Sequence, residues 1–230
     1  MAGRKFFVSC GHYNSKTHDI LYGVPQGSIL GPLLFSIHML LLGQIISGHN
    51  MNYHSYADDT QLYLSIAPDD PDSVVSLIHC LTCVSKWMNS NFLKLNKEKT
   101  EILVIGNNGY NEVTRNKLDA LELKVKTGVK KLGVTVDCNL NFKLHINQIT
   151  RTAFFHLRNI AKVRPLISLK DAEKLVHVFV FSRLDYCNAL LSGLPKKDIN
   201  RLQRVQKAAA RILTRKRKSE HISLVLMSLH

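Results

Sequence analysis

Two adjacent carboxylates, Asp58 and Asp59, stand between strand-like runs at residues 51–56 and 60–66. In the second run Leu62, Leu64 and Ile66 alternate with Gln61, Tyr63 and Ser65, the period of a half-buried strand. The acids therefore fall at the tip of a hairpin. Two carboxylates held about 4 Å apart repel by roughly 1 kcal/mol in water and about 4 kcal/mol at an effective dielectric of 20. A chain that fixes them there invites a cation, and hard oxygen donors with room for phosphates suit Mg2+. An Asp-Asp turn alone is a weak signal, because Asp is a common turn residue.

The surrounding motifs narrow the choice. Upstream lies Gly23-Val24-Pro25-Gln26-Gly27-Ser28-Ile29-Leu30-Gly31-Pro32, a Gly- and Pro-rich loop that opens an apolar helix. Together with Tyr56-Ala57-Asp58-Asp59-Thr60 it resembles a non-LTR retrotransposon (LINE-type) reverse transcriptase, a family with a G-x-P-Q-G-S loop, a palm helix and then Y-x-D-D. Asn91-Phe92-Leu93-Lys94-Leu95-Asn96 and Lys99-Thr100-Glu101 match the family's next motif, and Lys131-Leu132-Gly133-Val134 matches its primer-gripping hairpin. The likeness covers about residues 6 to 214 and rests on four ordered motifs.

The resemblance implies roles. Asp58 and Asp59 would help hold two Mg2+ ions, one activating the primer 3′-hydroxyl and one steadying the triphosphate. Phosphoryl transfer depends mainly on positioning and charge neutralisation, so carboxylate placement is the catalysis. Pro25, Gln26, Gly27, Ser28, Tyr56 and Ala57 would lie beside template and incoming nucleotide; for the loop, a simple turn into the helix is the plainer alternative. Lys99 would protonate or steady the leaving pyrophosphate, with Lys97 as competitor and a solvated strand-end lysine as the other reading. Leu132 and Gly133 would grip the primer. The implied partners are an RNA template and a DNA primer duplex.

Charge points the same way without the resemblance. The chain carries 31 Lys and Arg against 17 Asp and Glu, and residues 151–218 alone hold 17 of the basic and 4 of the acidic residues. A nearly balanced body with a basic C-terminal third suggests a polyanion, though a solvated basic surface has the same composition. On a helix expected at 198–213, Ile199, Leu202, Val205, Ala209 and Ile212 make an apolar stripe. Arg201, Arg204, Lys207 and Arg211 fall on the adjacent arc at 100° per residue. Such a helix lies along a duplex and reads phosphates rather than bases. Residues 215–218, Arg-Lys-Arg-Lys, extend that patch, serve as a nuclear address, or form a solvated tail.

Several elements must position these residues. Strands at 5–9 and 20–24 lead to the loop, and a helix at 29–42 follows, with Pro32 in its first turn and Gly43 as terminator. Asp72 or Ser73 caps a helix carrying Val74, Ile78, Leu81, Val84 and Met88 at helical spacing. A strand at 100–105 precedes a second hairpin, 121–125 with 129–136, turning at Thr127-Gly128. From Phe142 the chain reads as helices, with Phe142, Ile146, Ile149, Ala153, Leu157, Ile160 and Val163 on one side, and Ser168-x-x-Asp171 opening the next. The expected fold class is α+β: a ferredoxin-like palm lacking its first strand at 1–138, a helical basic thumb at 139–214 and a basic tail at 215–230.

Other classes fit less well. Five scattered cysteines, Cys10, Cys80, Cys83, Cys138 and Cys187, suggest free thiols in a reducing compartment. Cys80-x-x-Cys83 beside His79 reads as part of an amphipathic helix, with no second Cys or His pair at ligand spacing. His12, His18, His38, His54, His156 and His177 show no such spacing either. No signal peptide opens the sequence, and the apolar stretch 33–46, interrupted by His38 and Gln44, is short for a membrane span. A complete enzyme of this kind needs a third carboxylate in an F-x-D-x-x-x-A-F-D segment, and none occurs in the 230 residues. Polymerisation by this chain alone is therefore not expected. A non-catalytic nucleic-acid-binding protein and a translated element remnant are the competing readings.

Overall fold

The computed structural model describes residues 3–20, 23, 27–67, 70–106, 118, 123–217, 220 and 222. It is a mixed α/β structure of small sheets and several helices, in two compact units, Met1–Asn96 and Lys97–His230. The division expected between residues 138 and 139 falls inside the second unit.

The first unit opens on a hairpin in two pieces. β1 (Lys5–Phe6) pairs antiparallel with β4 (His18–Asp19), and β2 (Ser9–Cys10) with β3 (Tyr13–Asn14), around a turn in which Gly11 takes φ +61°. The return strand includes His18 and Asp19, ahead of the expected 20–24, and Ile20 extends the pairing by donating to the Arg4 carbonyl at 2.7 Å. Leu21, Tyr22 and Val24 lie outside the described residues.

α1 (Gly31–Gly48) follows, with proline in its first turn as expected. It does not stop at Gly43. That glycine sits buried inside the helix, where a Cβ would stand 2.7 Å from Cζ of Tyr53. Close approach of a neighbouring ring, and not chain reversal, is what asks for glycine there. The helix continues to His49, whose N–H caps the Ile46 carbonyl at 3.1 Å. At 18 residues and mean hydropathy 1.4 it is, among the described residues, the one helix reaching membrane-spanning length and apolarity, by those two measures alone. The helix extends past both ends of the apolar stretch 33–46. Its Leu42, Gly43 and Ile46 are buried, while Leu33, Ile37, Leu40 and Leu41 are exposed.

β5 (Asn52–Tyr56) and β6 (Asp59–Tyr63) form an antiparallel pair. α1 and α2 (Pro71–Ser90) pack together around a core of Leu42, Ile46, Met51, Cys80 and Val84, against which Tyr53, Leu62 and Leu64 lie half-buried. For α2, the cap is Asp70, not Asp72 or Ser73, since Pro71 takes the first helical position. Asp70 accepts from the Ser73 hydroxyl and amide and from the Asp72 amide, bonds that hold its carboxyl below the ordinary range.

In the second unit β7 (Glu101–Leu103) pairs in parallel with β8 (Lys124–Lys126), and Glu101 meets Lys126 at 3.5 Å. The hairpin is β9 (Gly128–Lys131) with β10 (Val134–Asp137), turning at Leu132-Gly133 and not at Thr127-Gly128. Both turn residues have positive φ, +45° and +84°, as a two-residue type I′ turn requires. Gly128, the expected pivot, lies in a strand where a Cβ would come 2.8 Å from a Leu144 methyl. All five sheets among the described residues are two-stranded.

The helices are α3 (Lys143–Val163), α4 (Leu169–Val176), α5 (Ser182–Asp185) and α6 (Lys196–Thr214), with a π-helical turn, His177–Phe181, between α4 and α5. Ala153, Leu157 and Ile160 of α3 pack with Ala172, Val176, Val180 and Leu184, and with Val205, Ala209 and Leu213 of α6. Phe142 caps α3 and Val163 is exposed, so the buried stripe is shorter at both ends than its spacing suggested. Ser168 accepts from the Asp171 amide at 3.1 Å, the capping contact foreseen. Arg164 is buried between helix ends, donating to the carbonyls of Leu213 and Ile167.

Candidate functional site

The register of the acid hairpin pairs Tyr56 with Asp59, leaving Ala57-Asp58 as a two-residue turn. Ala57 takes φ +54°, in the left-handed region. Opposite residues of an antiparallel pair share a face. Tyr53 and Leu62 face the apolar core, so Tyr56 and Asp59 lie together on the open face. Leu62 and Leu64 are half-buried while Gln61, Tyr63 and Ser65 are exposed, as their alternation indicated. Ile66 is exposed.

The ladder is stiffened by side chains along its length. Ser55 and Thr60 hydroxyls meet at 3.2 Å, and the His54 ring stacks on Tyr63, with the two linked at 3.3 Å. Asp58 and Asp59 are exposed, and among the described residues neither is paired with a cation. Two unpaired carboxylates on adjacent residues are hard oxygen donors, a set that fits Mg2+ and leaves room for further ligands.

Of the loop residues, Gly27 takes φ +82°, a conformation that favours glycine, and the Ser28 carbonyl accepts from Gly31 as α1 begins. Pro25 and Gln26 lie outside the described residues. Lys99 belongs to the second unit, exposed in the turn just before β7.

Leu132 and Gly133 form the tip of the β9–β10 hairpin, and the structure fastens that tip with residues the sequence did not single out. Tyr186 donates its hydroxyl to the Leu132 carbonyl at 2.7 Å, and its ring lies 3.2 Å from where a Cβ on Gly133 would be. Nδ1 of buried His145 accepts from the Thr135 amide at 3.4 Å, and burial pushes its pKa down. Asp137 accepts from the Asn139 and Asn141 amides, shaping the approach to α3. Tyr186 had no signal at all, being 54 residues from its partner. His145 had one: it sits next to Ile146 on the buried arc of an amphipathic helix.

The four cations of α6 separate into two kinds. Arg201 is occupied, 4.0 Å from Asp198 and hydrogen-bonded to Asn147. Arg204 and Lys207 are exposed, and Arg211 is partly buried with its Nε unpartnered. Arg204 and Arg211 line a groove of about 690 Å3 together with Arg164, Arg215 and Lys216. Arg215, the first residue of the basic run 215–218, is anchored on the Arg164 carbonyl at 3.0 Å. The apolar side is centred on Val205, Ala209 and Leu213, and Ile199 sits at its exposed rim.

Comparison with known proteins is consistent with this geometry. Residues 4–136 match the model of the family described as reverse transcriptase (RNA-dependent DNA polymerase). The chain is 28% identical over 223 residues to the probable RNA-directed DNA polymerase from transposon BS of Drosophila melanogaster, covering 92% of this chain and 24% of that protein. It is 28% identical to the RNA-directed DNA polymerase from mobile element jockey of the same species, over 64% of this chain and 16% of the relative. A third relative, the probable RNA-directed DNA polymerase from transposon X-element, is 25% identical over 93% and 24%. The chain thus spans at most about a quarter of the length of these relatives. No solved structure matches it significantly.

Proposed function

The chain belongs to the reverse transcriptase family, and we propose that it contributes the metal-holding palm hairpin and a cationic thumb to an RNA-directed DNA polymerase of retrotransposon type. The observation that carries this reading is the position of Asp58 and Asp59, at the exposed turn of a hairpin whose other face is anchored in an apolar core. Mg2+, when bound, supplies neutralisation of phosphate charge and a more acidic attacking hydroxyl. The chain's own part is to hold both carboxylates on one short turn, with Tyr56 beside Asp59 on the open face. Gln26, Gly27 and Ser28 then meet template and nucleotide, Leu132 and Gly133 the primer, and Lys99 the leaving pyrophosphate. Arg204, Lys207 and Arg211 hold duplex phosphates, Arg201 being engaged elsewhere. In this reading the ferredoxin-like palm runs to residue 138 and the thumb to 214.

Primer extension on poly(rA)/oligo(dT) with Mg2+ tests the catalytic half. By itself the chain, with two of the three carboxylates, gives no product. Joined to a segment supplying the F-x-D strand, it incorporates thymidylate. Asp58→Ala or Asp59→Ala then lowers the rate by about 10²-fold or more, the scale of deleting one group that stabilises developing charge. Alanine variants as active as their parent overturn the assignment.

A second reading, a nucleic-acid-binding protein without catalysis, is favoured by the exposed Arg204 and Lys207. Both readings require duplex binding that falls with salt, by about 10³-fold between 50 and 200 mM if six phosphates are engaged. Fluorescence anisotropy with a labelled RNA–DNA duplex measures this, and a flat salt response removes the thumb interface from either.

A further inference from the structure

We propose that His49, His79 and Cys83 form a Zn2+ site that clasps α1 to α2 beside the acid hairpin. The sequence pattern drew attention to the wrong pair. Cys80 is fully buried among Leu42, Ile46 and Met51, a core thiol held against its helix. His79 and Cys83 are four residues apart, so they share one face of α2. The third ligand comes from another element, His49 at the C-terminal cap of α1. The donor atoms of the three side chains all lie within 4.8 Å of one another. The two imidazoles meet edge to face, with centroids 4.9 Å apart and planes at 86°.

Around tetrahedral Zn2+ such donors stand about 3.3–3.6 Å apart, so small side-chain rotations close the set. Two imidazoles and one thiolate select a borderline-soft metal over Mg2+ or Ca2+. His79 is exposed and Cys83 half-buried, which gives the ion a way in and leaves a fourth position for water. The site also lies at a helix C-terminus, where the partial negative charge of free carbonyls favours a cation. On binding, the Cys83 sulfhydryl gives up its proton to buffer and its sulfur becomes the anionic ligand. The metal would join the helix that follows the Gly-Pro loop to α2, clasping the two helices whose shared core carries the inner face of the hairpin. These three side chains would bind the ion whether or not the chain polymerises.

Co2+ titration of the full 230-residue chain under a non-chelating reductant tests it. The expected result is one equivalent bound, with a thiolate-to-cobalt charge-transfer band and tetrahedral d–d bands, both displaced by Zn2+. Zn2+ should also shield Cys83, among the five cysteines, from iodoacetamide as read by peptide mass spectrometry. His79→Ala changes an exposed helical position to the best helix former, so the fold is kept. It should weaken binding by more than the about 10- to 100-fold that loss of a ligand's own hydrogen-bond partner costs. Cys83→Ser should abolish the charge-transfer band. Absence of that band, unchanged affinity in His79→Ala, or shielding of a cysteine other than Cys83 overturns the site.

Discussion

Two hairpins of the same plan, one in each unit, are held in opposite ways. The acid hairpin and the β9–β10 hairpin both turn in two residues, and both place a non-glycine residue, Ala57 or Leu132, in the left-handed region. The acid turn is held from within, by its own ladder, the Ser55–Thr60 bond and the apolar residues of one face. The other is held from outside, by Tyr186 on its tip and His145 on its strand. In the proposed reading the acid turn has to stay uncovered for metal and nucleotide, whereas the Leu132-Gly133 turn meets the primer as a preformed tip and can be clamped from behind. Changes at the first should therefore act on activity with little loss of stability, and changes at the second on stability before anything else.

The largest stability effect expected from this contrast is at Gly133. Its φ of +84° strains any side chain, and an added Cβ would press on the Tyr186 ring at 3.2 Å. Gly133→Ala should destabilise the second unit by about 1–3 kcal/mol, from left-handed strain together with overpacking. Urea unfolding followed by far-UV circular dichroism measures it. A loss under a few tenths would mean that Tyr186 moves aside freely and the tip is not clamped.

A reversible version of the same loss comes from His145. Burial lowers its folded pKa, so the unfolded chain, titrating near 6.5, takes the proton first as pH falls. The stability this residue contributes is complete above that value and is lost as the pH drops from there towards the lowered folded value. Protonation would also remove the acceptor that Nδ1 offers to Thr135. Urea midpoints between pH 5 and 8 should decline on the acid side, and His145→Gln should flatten the decline. Asp70 and Asp171 are shifted too, but both downwards from the carboxylate range and so outside this window. An unchanged slope in His145→Gln would place the titration elsewhere.

What was legible in the sequence was local and periodic. The acid hairpin, the alternation at Leu62 and Leu64, the α2 stripe and the α3 stripe all repeat within one element, and short-range geometry fixes them. Two glycines misled for a common reason. Gly43 and Gly128 read as breakers, but each is small so that Tyr53 or Leu144 can approach, a fact carried by a residue 10 or 16 positions away. The clamp of Tyr186 on Leu132 and the meeting of His49 with His79 and Cys83 are tertiary contacts with no spacing rule. The Leu132-Gly133 turn lay inside the motif likened to a primer grip, yet the strand pattern alone had put the reversal at Gly128. Patterns report which face is buried, not what it is buried against.

The smallest expected effect is the sharpest test of the contrast, because its two readouts move in opposite directions. Ala57 holds φ +54° without glycine, a conformation that costs an L-residue roughly 1 kcal/mol or more. Ala57→Gly removes that strain but loosens the unfolded chain by about 0.4–1 kcal/mol, leaving a net gain of some tenths. The same glycine widens the conformations open to the turn, so Asp58 and Asp59 would spend less time in the arrangement proposed to hold metal. Stability should therefore rise slightly while primer extension by the joined form falls, the pattern of strain retained at a working site. At Gly133 the reverse substitution costs stability. If Ala57→Gly lowered stability, the turn would be unstrained. If it left extension unchanged, Ala57 would be a filler, and placement of the acids would have to come from the ladder alone.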